Sequence, residues 1–391
     1  MIMLSDSKIK ALSRREFVRV AAAGVAGGLL AFPGSRSLAA AQSGVPAIRL
    51  KRLAKGANVC QWFRFVRQED AGHFGNYITE AEAGQMRQMG LTHVRLCLQP
   101  KVVMDQATGA VREDHASFLK AAIERFHRAG LLVVVDLHNE DRPSEINPEW
   151  QKEFIRFWSD LAALLETFDP DLTVFEIINE PVFAGREAEW YPLNARLAAA
   201  IRKSAPQHTI MTSGAQWGGI EGLLKLTPLE DPNVVYSFHC YDPFPFTHQG
   251  ATWAGPDVKP FRGVPYPSSP EAVGPLLPAL AQSPASSNLV EKYGEARWNK
   301  AKLAARFQQA LAWGAQNKVP LYCGEFGVFP RYAKAEDRAN WFRDFGQVLS
   351  ENSIGWAVWG WDEGFGLNRR HVEGKLQVDQ TVAAALGLAS L

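Results

Sequence analysis

The sequence of 391 residues is poor in cysteine and has no excess of charge of either sign. Four cysteines in a chain of this length exclude a fold that is held together mainly by disulfide bonds. The 42 Lys and Arg residues nearly balance the 41 Asp and Glu residues, which argues against nucleic-acid binding, because neutralising phosphates requires a basic excess. With 47% hydrophobic residues, the chain can bury a substantial core.

Several motifs of enzyme chemistry are also missing. The chain has no Gly-x-Ser-x-Gly elbow, which argues against an esterase, and no P-loop, which argues against nucleotide hydrolysis. No glycine-rich dinucleotide loop follows an early strand, and no His-Glu-x-x-His pattern occurs. We therefore expect neither a cofactor nor a metal site.

The N-terminal residues have the order of an export signal. Basic residues precede an apolar run from Val20 to Phe32, and small residues follow up to Ala41. This order is typical of a secretory signal, and the apolar run is too short to span a bilayer comfortably. Residues 13–18, Ser-Arg-Arg-Glu-Phe-Val, resemble the twin-arginine export motif. The alternative is an amphipathic basic helix on the domain surface.

We expect a twin-arginine-type signal peptide at residues 1–41 and one catalytic domain at residues 42–391. The signal segment holds six basic and two acidic residues, so its removal changes the net charge from +1 to −3. The mature protein is then expected in the periplasm or outside the cell, delivered by the twin-arginine machinery and without stable membrane association. We also expect it to be a monomer.

From about residue 50 onward, short apolar runs alternate with amphipathic stretches, one of which begins with a capping box formed by Thr79 and Glu82. Alternating strands and helices are typical of parallel βαβ units, and eight such units predict a single-domain (β/α)8 TIM barrel of the α/β class. An open doubly wound sheet is the main alternative, and the missing dinucleotide loop disfavours it. The predicted strands are Leu53–Trp62, His93–Leu98, Leu131–Leu137, Leu172–Ile178, His208–Ser213, Val234–Tyr241, Val319–Phe326 and Gly355–Trp361. The predicted helices include Thr79–Met89, Ala116–Ala129, Pro148–Thr167, Trp190–Ser204, Asn299–Gln316 and Ala335–Ser350.

The connection after the sixth predicted strand, between Tyr241 and about Asn299, is unusually long and rich in proline and aromatic residues. Loops of this length in compact domains are usually functional or disordered. The aromatic content favours a folded flap beside a site. We find no internal repeat or linker in the sequence that would mark a second domain.

Polar residues interrupt the apolar strands near their C-terminal ends, where the active site of a TIM barrel lies. Burying them without a purpose would cost free energy. Among them, Glu180 follows the fourth strand and Glu325 lies in the seventh. Glycoside hydrolysis needs such a pair, one carboxylic acid to protonate the leaving oxygen and one carboxylate to attack the sugar or activate water. The alternative is a pair of ordinary salt-bridge partners.

Residues 175–181, Phe-Glu-Ile-Ile-Asn-Glu-Pro, resemble the Asn-Glu-Pro signature of glycoside hydrolase family 5, which consists of retaining (β/α)8 glycosidases. The resemblance extends from about Gly56 to Trp361. It implies that Glu180 is the acid/base and that Glu325 is the nucleophile. It also implies a supporting set: Arg95 behind the nucleophile, Asn179 on the sugar 2-hydroxyl, His138 and His239 beside the cleaved sugar, Tyr241 hydrogen-bonded to the nucleophile, and Trp359 as the floor of the −1 subsite.

The chemistry of these residue types fits the implied roles. Arg95 can keep Glu325 ionised, because a nearby cation lowers the pKa of a carboxyl group. Asn179 can donate to the 2-hydroxyl, a contact that strengthens in the transition state, and Trp359 offers a flat apolar face to a sugar ring. For three further tryptophans, outer sugar subsites and core positions both stay open: Trp62, Trp217 and Trp361.

The two-residue period of a strand also predicts where the cysteines point. If Arg95 and Glu325 face into the barrel, then Cys97 and Cys323 face inward and Cys240 faces the helices. Inward and outward cysteines on distant strands cannot form a disulfide bond. We therefore expect free, buried thiols.

The resemblance implies a retaining endo-β-glucanase that hydrolyses β-1,4-glucosidic bonds in a polysaccharide or oligosaccharide by double displacement. Because loops set the choice of substrate, a β-1,3-glucanase or a β-mannanase on the same scaffold stays open. A carbohydrate-binding barrel without catalytic activity is an alternative of another class. It would predict the loss of at least one of the two glutamates, and both are present.

Overall fold

Eight parallel strands close into a barrel in the order in which they occur along the chain. The computed structural model describes residues 43–105, 107–138, 147–183 and 185–391, so the expected signal peptide at residues 1–41 lies outside the described residues. Strand β1 pairs with both β2 and β8, which closes the barrel. The strands are β1 (Lys55–Phe63), β2 (His93–Leu98), β3 (Leu132–Leu137), β4 (Thr173–Glu176), β5 (Thr209–Ser213), β6 (Val234–His239), β7 (Leu321–Glu325) and β8 (Gly355–Val358).

Helices cover the outside of the barrel, and several begin where a side chain caps their free N–H groups. Thr79 accepts from Glu82 N, and Asn299 accepts from Lys302 N. We find no helix in the described ranges that is long and apolar enough to cross a bilayer. The helices are α1 (Ala47–Arg52), α2 (Ala71–Asn76), α3 (Glu80–Gln88), α4 (Pro100–Val103), α5 (Glu113–Arg128), α6 (Pro148–Leu165), α7 (Glu187–Ser204), α8 (Ile220–Leu223), α9 (Phe244–Thr247), α10 (Pro270–Val273), α11 (Leu277–Leu280), α12 (Pro284–Glu295), α13 (Lys300–Asn317), α14 (Ala335–Glu351) and α15 (Gln380–Ala385). After β8, a hairpin of β9 (Arg370–Val372) and β10 (Lys375–Gln377) precedes α15.

The interior of the barrel changes from apolar to polar along the strands. Val134 on β3 and Val174 on β4 belong to an apolar cluster inside the barrel. Two residues further along the same strands, at the next inward positions, are Asp136 and Glu176, both fully buried. The C-terminal end of the barrel interior is therefore lined with charged side chains, at the face where TIM barrels carry their sites.

The predicted barrel is confirmed, and most strand positions agree closely. Strand β2 has the predicted bounds, and β8 ends at Val358, three residues before the predicted end. Helices α13 and α14 agree with the prediction to within one residue at each end. The regular period of their apolar residues explains this agreement, because it indicates which face of each helix packs on the barrel.

The long connection after β6 is folded, as predicted. It carries helices α9 to α12 and buries aromatic residues such as Phe261 and Tyr266. The Tyr266 hydroxyl donates to Asp344 Oδ2 on α14 at 2.8 Å, which ties the loop to the barrel. Trp253, in the same loop, is 57% exposed. The loop is therefore a packed flap with one large aromatic ring left in solvent.

Candidate active site

Glu180 and Glu325 lie close together at the C-terminal end of the barrel. Glu325 is the last residue of β7, and Glu180 lies four residues after the end of β4. Carboxylate oxygens of the two residues lie within 4.8 Å of each other. Retaining glycosidases hold their carboxyl groups about 5–5.5 Å apart, and inverting enzymes about 6.5–9.5 Å apart. The observed spacing therefore suits the retaining geometry.

His239, at the end of β6, lies between the two glutamates. Its Nδ1 is 3.2 Å from Glu180 Oε1 and 3.6 Å from Glu325 Oε2. Burial opposes the charged imidazolium, but the two carboxylates outweigh burial and raise the pKa of His239 above its usual value. A protonated His239 balances part of the negative charge of the pair.

Two further side chains hold Glu325 in place. The Tyr241 hydroxyl donates to Glu325 Oε2 at 3.0 Å, and Arg95 Nη1 donates to Glu325 Oε1 at 3.0 Å. Burial, followed by the nearby carboxylate of Glu325, raises the pKa of Tyr241 well above its usual value, so the phenol keeps its proton. Each oxygen of Glu325 thus has its own donor, which fixes the orientation of the carboxylate.

Arg95 is fully buried and serves several partners at once. Besides Glu325, its guanidinium donates to both oxygens of Glu176, at 2.6 and 3.0 Å. It also donates to Asn179 Oδ1 at 2.8 Å and to Asn58 Oδ1 at 2.8 Å. Because Asn179 Oδ1 is engaged by Arg95, the amide Nδ2 of Asn179 is left as the donor for a ligand.

His138 and Trp359 form a second edge of the site. Their rings stack with centroids 5.6 Å apart and planes at 26°. His138 Nε2 lies 2.5 Å from Asp136 Oδ2. Burial opposes the imidazolium, but the carboxylate of Asp136 outweighs it and raises the pKa of His138 well above its usual value. The structure therefore brings all eight predicted site residues together.

Three supporting residues were not assigned from the sequence: Asn58, Asp136 and Glu176. Each is fully buried and contacts Arg95, with Asp136 Oδ2 lying 3.2 Å from Nη2. A polar residue inside an apolar strand is the available signal, since Asp136 follows four apolar residues and Glu176 lies four residues before Glu180. That pattern marks such a residue as unusual, but it does not reveal the partner.

Trp62 and Trp361 do not line the cleft. Of the two possibilities for them, outer sugar subsites and core positions, the structure supports core positions. Both are fully buried between the barrel and its helices. Trp62 Nε1 donates to the Phe74 carbonyl at 3.1 Å, and Trp361 Nε1 donates to Glu82 Oε1 at 2.7 Å. Both indole N–H groups are satisfied inside the protein, so the two residues are core.

Trp217 remains close to the site. It is half-buried, and the carbonyl of the adjacent Gly218 accepts from the His239 backbone N–H at 2.8 Å. The backbone here has a positive φ at both Trp217 (62°) and Gly218 (62°), which forms a tight bend after β5. Trp217 therefore stays a candidate for an outer subsite.

In the described part of the chain, Phe65 and Trp253 are the exposed large aromatic residues, at 42% and 57%. The Arg64 guanidinium lies 4.0 Å from the Phe65 ring centroid and 5.1 Å from that of Trp359. The Trp253 ring lies 6.5 Å from Phe365, and Phe365 lies 5.5 Å from Tyr241. Both exposed rings are therefore connected to the site through one intervening side chain.

The cysteines are free and buried, as expected, but one faces the other way. Cys97 lies with Cys60 and Trp359 on the inner side, and Cys240 packs on the helix side. Cys323 also packs on the helix side, contrary to the prediction. The pairing of β6 with β7 shifts register after Phe238, so the two-residue period does not extend to Glu325.

Two sets of side chains among the described residues bring metal-ligand atoms within 4.8 Å of one another. One set is the pair of glutamates with His239. The other consists of Cys97, Asp136 and His138, all buried. The first set contains the two carboxylates that glycoside hydrolysis requires, and the second contains a thiol, a carboxyl group and an imidazole.

Comparisons with known proteins identify the family of this chain. The Cellulase family, glycosyl hydrolase family 5, matches residues 53–364. Endoglucanase C of Acetivibrio thermocellus is 29% identical over 314 residues, covering 78% of this chain and 90% of that protein. Cellodextrinase A of Ruminococcus flavefaciens is 27% identical over 320 residues, covering 78% and 85%.

The fold has close counterparts among solved structures. Endoglucanase Cel5A of Thermotoga maritima, in a mutant form with cellobiose, superposes with a TM-score of 0.70 at 24% identity, over 88% of this chain and 99% of that one. The cellulose synthase subunit Z of Clostridioides difficile gives a TM-score of 0.68 at 20% identity, over 85% and 99%. These likenesses support the barrel, and the family match covers most of the chain. The chain belongs to glycosyl hydrolase family 5 and is a glycoside hydrolase.

Proposed function

We propose that the protein is a retaining endo-β-glucanase that cleaves β-1,4-glucosidic bonds, with Glu180 as acid/base and Glu325 as nucleophile. The observation that carries this proposal is the spacing of the two carboxylates, whose oxygens lie within 4.8 Å. This spacing leaves no room for a water molecule behind the sugar, as inversion would require. Attack by a protein carboxylate is then the route that the geometry favours.

In the first step, Glu325 attacks the anomeric carbon while Glu180 gives its proton to the leaving glycosidic oxygen. The carbon–oxygen bond to the leaving sugar breaks, and a covalent glycosyl-enzyme ester forms. In the second step, Glu180 takes a proton from water, and the resulting hydroxide attacks the same carbon and releases Glu325. The side chain of Glu180 is 12% exposed and that of Glu325 is 6% exposed, which suits contact of Glu180 with water.

The neighbouring groups support this division of roles. Arg95 and Tyr241 each donate to one oxygen of Glu325, which holds its carboxylate in a fixed orientation for attack. His239 contacts Glu180 at 3.2 Å and can follow its change of protonation during the cycle. Asn179 presents its amide to the sugar 2-hydroxyl, and Trp359 lies under the ring at the −1 subsite.

Exposed aromatic rings support action within a chain rather than at its end. Phe65 and Trp253 are exposed, and each connects to the site through one side chain, which supports contact of both rings with further glucosyl units. Flat apolar rings suit the apolar faces of glucose. We assign both rings to outer subsites, together with Trp217.

The named relatives support a β-1,4-glucan substrate, since they are called endoglucanase and cellodextrinase. Cel5A of Thermotoga maritima has also been solved with mannotriose, which keeps β-mannan as a second candidate.

A further part of the proposal concerns location. The charged, apolar and small residues at positions 1–41 support export of the enzyme by the twin-arginine route, to the periplasm or beyond.

A panel of polysaccharides tests the substrate. We expect release of reducing ends from carboxymethyl cellulose and lichenan, with a rapid fall in viscosity because internal bonds are cut. Laminarin tests the β-1,3 alternative, and mannan tests the β-mannanase alternative. Release from mannan alone would replace the glucanase proposal. Slow loss of viscosity with release of a single small sugar would replace endo action by exo action.

A further inference from the structure

We propose that Cys97, Asp136 and His138, with Cys60 as a fourth ligand, bind a thiophilic divalent cation such as Zn²⁺, and that the bound cation inhibits hydrolysis. The inhibitory part rests on the proposed function, whereas the binding part does not. The sequence led us to expect no metal site. These ligands come from three different strands, so no local spacing in the sequence reveals them.

Three of the four ligand atoms are already assembled. The Cys97 sulphur, a carboxylate oxygen of Asp136 and a ring nitrogen of His138 all lie within 4.8 Å of one another. The Cys60 side chain packs in one cluster with Cys97, from the neighbouring strand β1. At most 1% of each of these four residues is exposed to solvent. Folding alone therefore brings three of the ligands together and places Cys60 beside them, before any metal ion binds.

The set of donor atoms suits zinc-like cations. Thiolate sulphur, imidazole nitrogen and carboxylate oxygen are the ligands of Zn²⁺ in proteins, and four of them give its preferred tetrahedral coordination. Soft sulphur ligands disfavour Mg²⁺ and Ca²⁺, which bind oxygen. Cys97 and Cys60 would each release a proton as they bind. The site therefore distinguishes thiophilic cations from those that are common in buffers.

Asp136 is the ligand whose surroundings most clearly favour a bound metal ion. It is fully buried, and neither of its carboxylate oxygens accepts a well-aligned hydrogen bond. Its nearest charged neighbours are His138 Nε2 at 2.5 Å and Arg95 Nη2 at 3.2 Å. Arg95 Nη2 makes its aligned hydrogen bonds with Glu176 and Asn179 instead. A metal ion between Asp136 and His138 would take the place of the proton that this short contact requires.

Binding must move His138, and this couples the metal site to the sugar site. Zinc lies about 2.0–2.2 Å from nitrogen and oxygen ligands, so tetrahedral ligands are roughly 3.3 Å apart. His138 Nε2 and Asp136 Oδ2 are 2.5 Å apart and must therefore separate. The His138 ring stacks on Trp359, the proposed floor of the −1 subsite. A shifted His138 would disturb the bound sugar.

Cadmium tests binding directly, because a Cd²⁺–thiolate bond absorbs in the ultraviolet. We expect the reduced, folded protein to bind one equivalent of Cd²⁺ with a thiolate charge-transfer band, and Zn²⁺ to abolish the band by competition. Cys97→Ala should weaken binding by at least roughly 100-fold, since even outer-shell changes at metal sites cost about 10–100-fold. Cys60→Ala should leave weaker binding with a smaller band.

Cys323→Ala is the matched control, since Cys323 is an equally buried thiol that packs on the helix side of the barrel. It should keep the band and the affinity of the parent. Thermal unfolding of each variant shows that it is folded, and Cys60→Ala provides a second test if Cys97→Ala does not fold. No band in the parent, or an equal band in folded Cys97→Ala or Cys60→Ala, would overturn the site.

Hydrolysis of a soluble glucan is then measured with increasing Zn²⁺. We expect inhibition in the parent and in Cys323→Ala, reversed by a chelator, and resistance in Cys97→Ala. Metal binding with unchanged hydrolysis would refute the inhibitory claim alone. Cd²⁺ binding by a protein that hydrolyses no glucan would count against the proposed function and leave the metal site standing.

Discussion

Arg95 joins Glu325, the proposed nucleophile, to a second, fully buried carboxylate. Its Nη1 donates to Glu325 at 3.0 Å, while its Nε donates to Glu176 at 2.6 Å. The planar guanidinium can reach both partners from one position, and a lysine ammonium cannot. The orientation of Glu325 therefore depends on an ion-pair network behind it.

Arg95→Lys tests this dependence. Because one ammonium cannot serve both carboxylates, we expect kcat to fall by about 10²–10³-fold and the free energy of unfolding to fall by about 3–5 kcal/mol. Steady-state kinetics and thermal unfolding measure the two effects. Arg112→Lys, at an exposed ion pair with Asp114, is the control and should change stability by less than about 1 kcal/mol. Parent-like kcat in Arg95→Lys would show that Glu325 does not need the network.

Replacing each glutamate by alanine separates the two catalytic roles. Glu180→Ala should lose activity on glucan but retain it on an aryl β-cellobioside with a good leaving group, because that group needs no proton. Added azide should then speed turnover and give a β-glycosyl azide. Glu325→Ala should be inactive on both substrates, and azide should give the α-glycosyl azide. The opposite pattern of products would reverse the two assignments.

Trp253→Ala tests the outer subsite on the long loop. Loss of one stacking face is worth about 0.5–1.5 kcal/mol, so we expect kcat/KM on long cello-oligosaccharides to fall by roughly 2–10-fold. Activity on the shortest hydrolysed substrate should stay unchanged, since it does not reach this ring. Val372→Ala removes another exposed apolar side chain, from the β9–β10 hairpin, and should have no effect on either substrate. An equal loss on short and long substrates would argue against a subsite at Trp253.

Trp361→Phe tests whether this buried tryptophan is a core residue and not part of a sugar subsite. The substitution leaves buried Glu82 Oε1 without the indole donor at 2.7 Å. We expect a loss of about 1–3 kcal/mol in stability, measured by denaturant unfolding, because a buried acceptor is left unsatisfied. The pattern of oligosaccharide products should not change. A changed pattern of oligosaccharide products, with the stability of the parent, would show that Trp361 contacts the substrate.

The stability of the protein should decline in mild acid because of His93. This residue is fully buried inside β2, its Nε2 lies 2.7 Å from the Tyr322 hydroxyl, and burial lowers its pKa to about 3. In the unfolded chain His93 binds a proton as the pH falls below about 6.5, whereas in the folded chain it stays neutral until about pH 3. The contribution of neutral His93 to the free energy of unfolding is therefore complete above about pH 6.5 and is lost as the pH falls toward 3. At pH 5 the expected loss is about 2 kcal/mol.

His93→Gln should remove this part of the acid dependence, because glutamine does not titrate. Free energies of unfolding at several pH values between about 7.5 and 5 measure the slope. His371→Gln, at an exposed position in β9, is the control and should keep the slope of the parent. A His93→Gln protein with the full parent slope would show that other groups cause the acid loss.

Local sequence patterns predicted those parts of the molecule that depend on local packing. The bounds of β2 and the ends of α14 follow from apolar runs and periods. The eight candidate site residues were predicted from a resemblance to a family, and they lie together in the structure. The roles of Trp62 and Trp361 were left open, because the sequence does not show whether an indole N–H meets a sugar or, as here, Phe74 and Glu82.

Other features depend on contacts that no short segment contains. The inward direction of Cys323 was predicted wrongly because a register shift between β6 and β7 interrupts the two-residue period. Asp136 and Glu176 were visible as polar residues in apolar strands, but their shared partner Arg95 lies on another strand. The contact between Cys60 and Cys97 likewise arises only when β1 and β2 pair.

The anomeric configuration of the first product distinguishes retention from inversion. Proton NMR can follow hydrolysis of a soluble cello-oligosaccharide before mutarotation mixes the two anomers. With Glu180 and Glu325 separated by no more than 4.8 Å between their oxygens, we predict that the new reducing end appears first in the β form. Initial appearance of the α form would mean inversion and would contradict double displacement through Glu325.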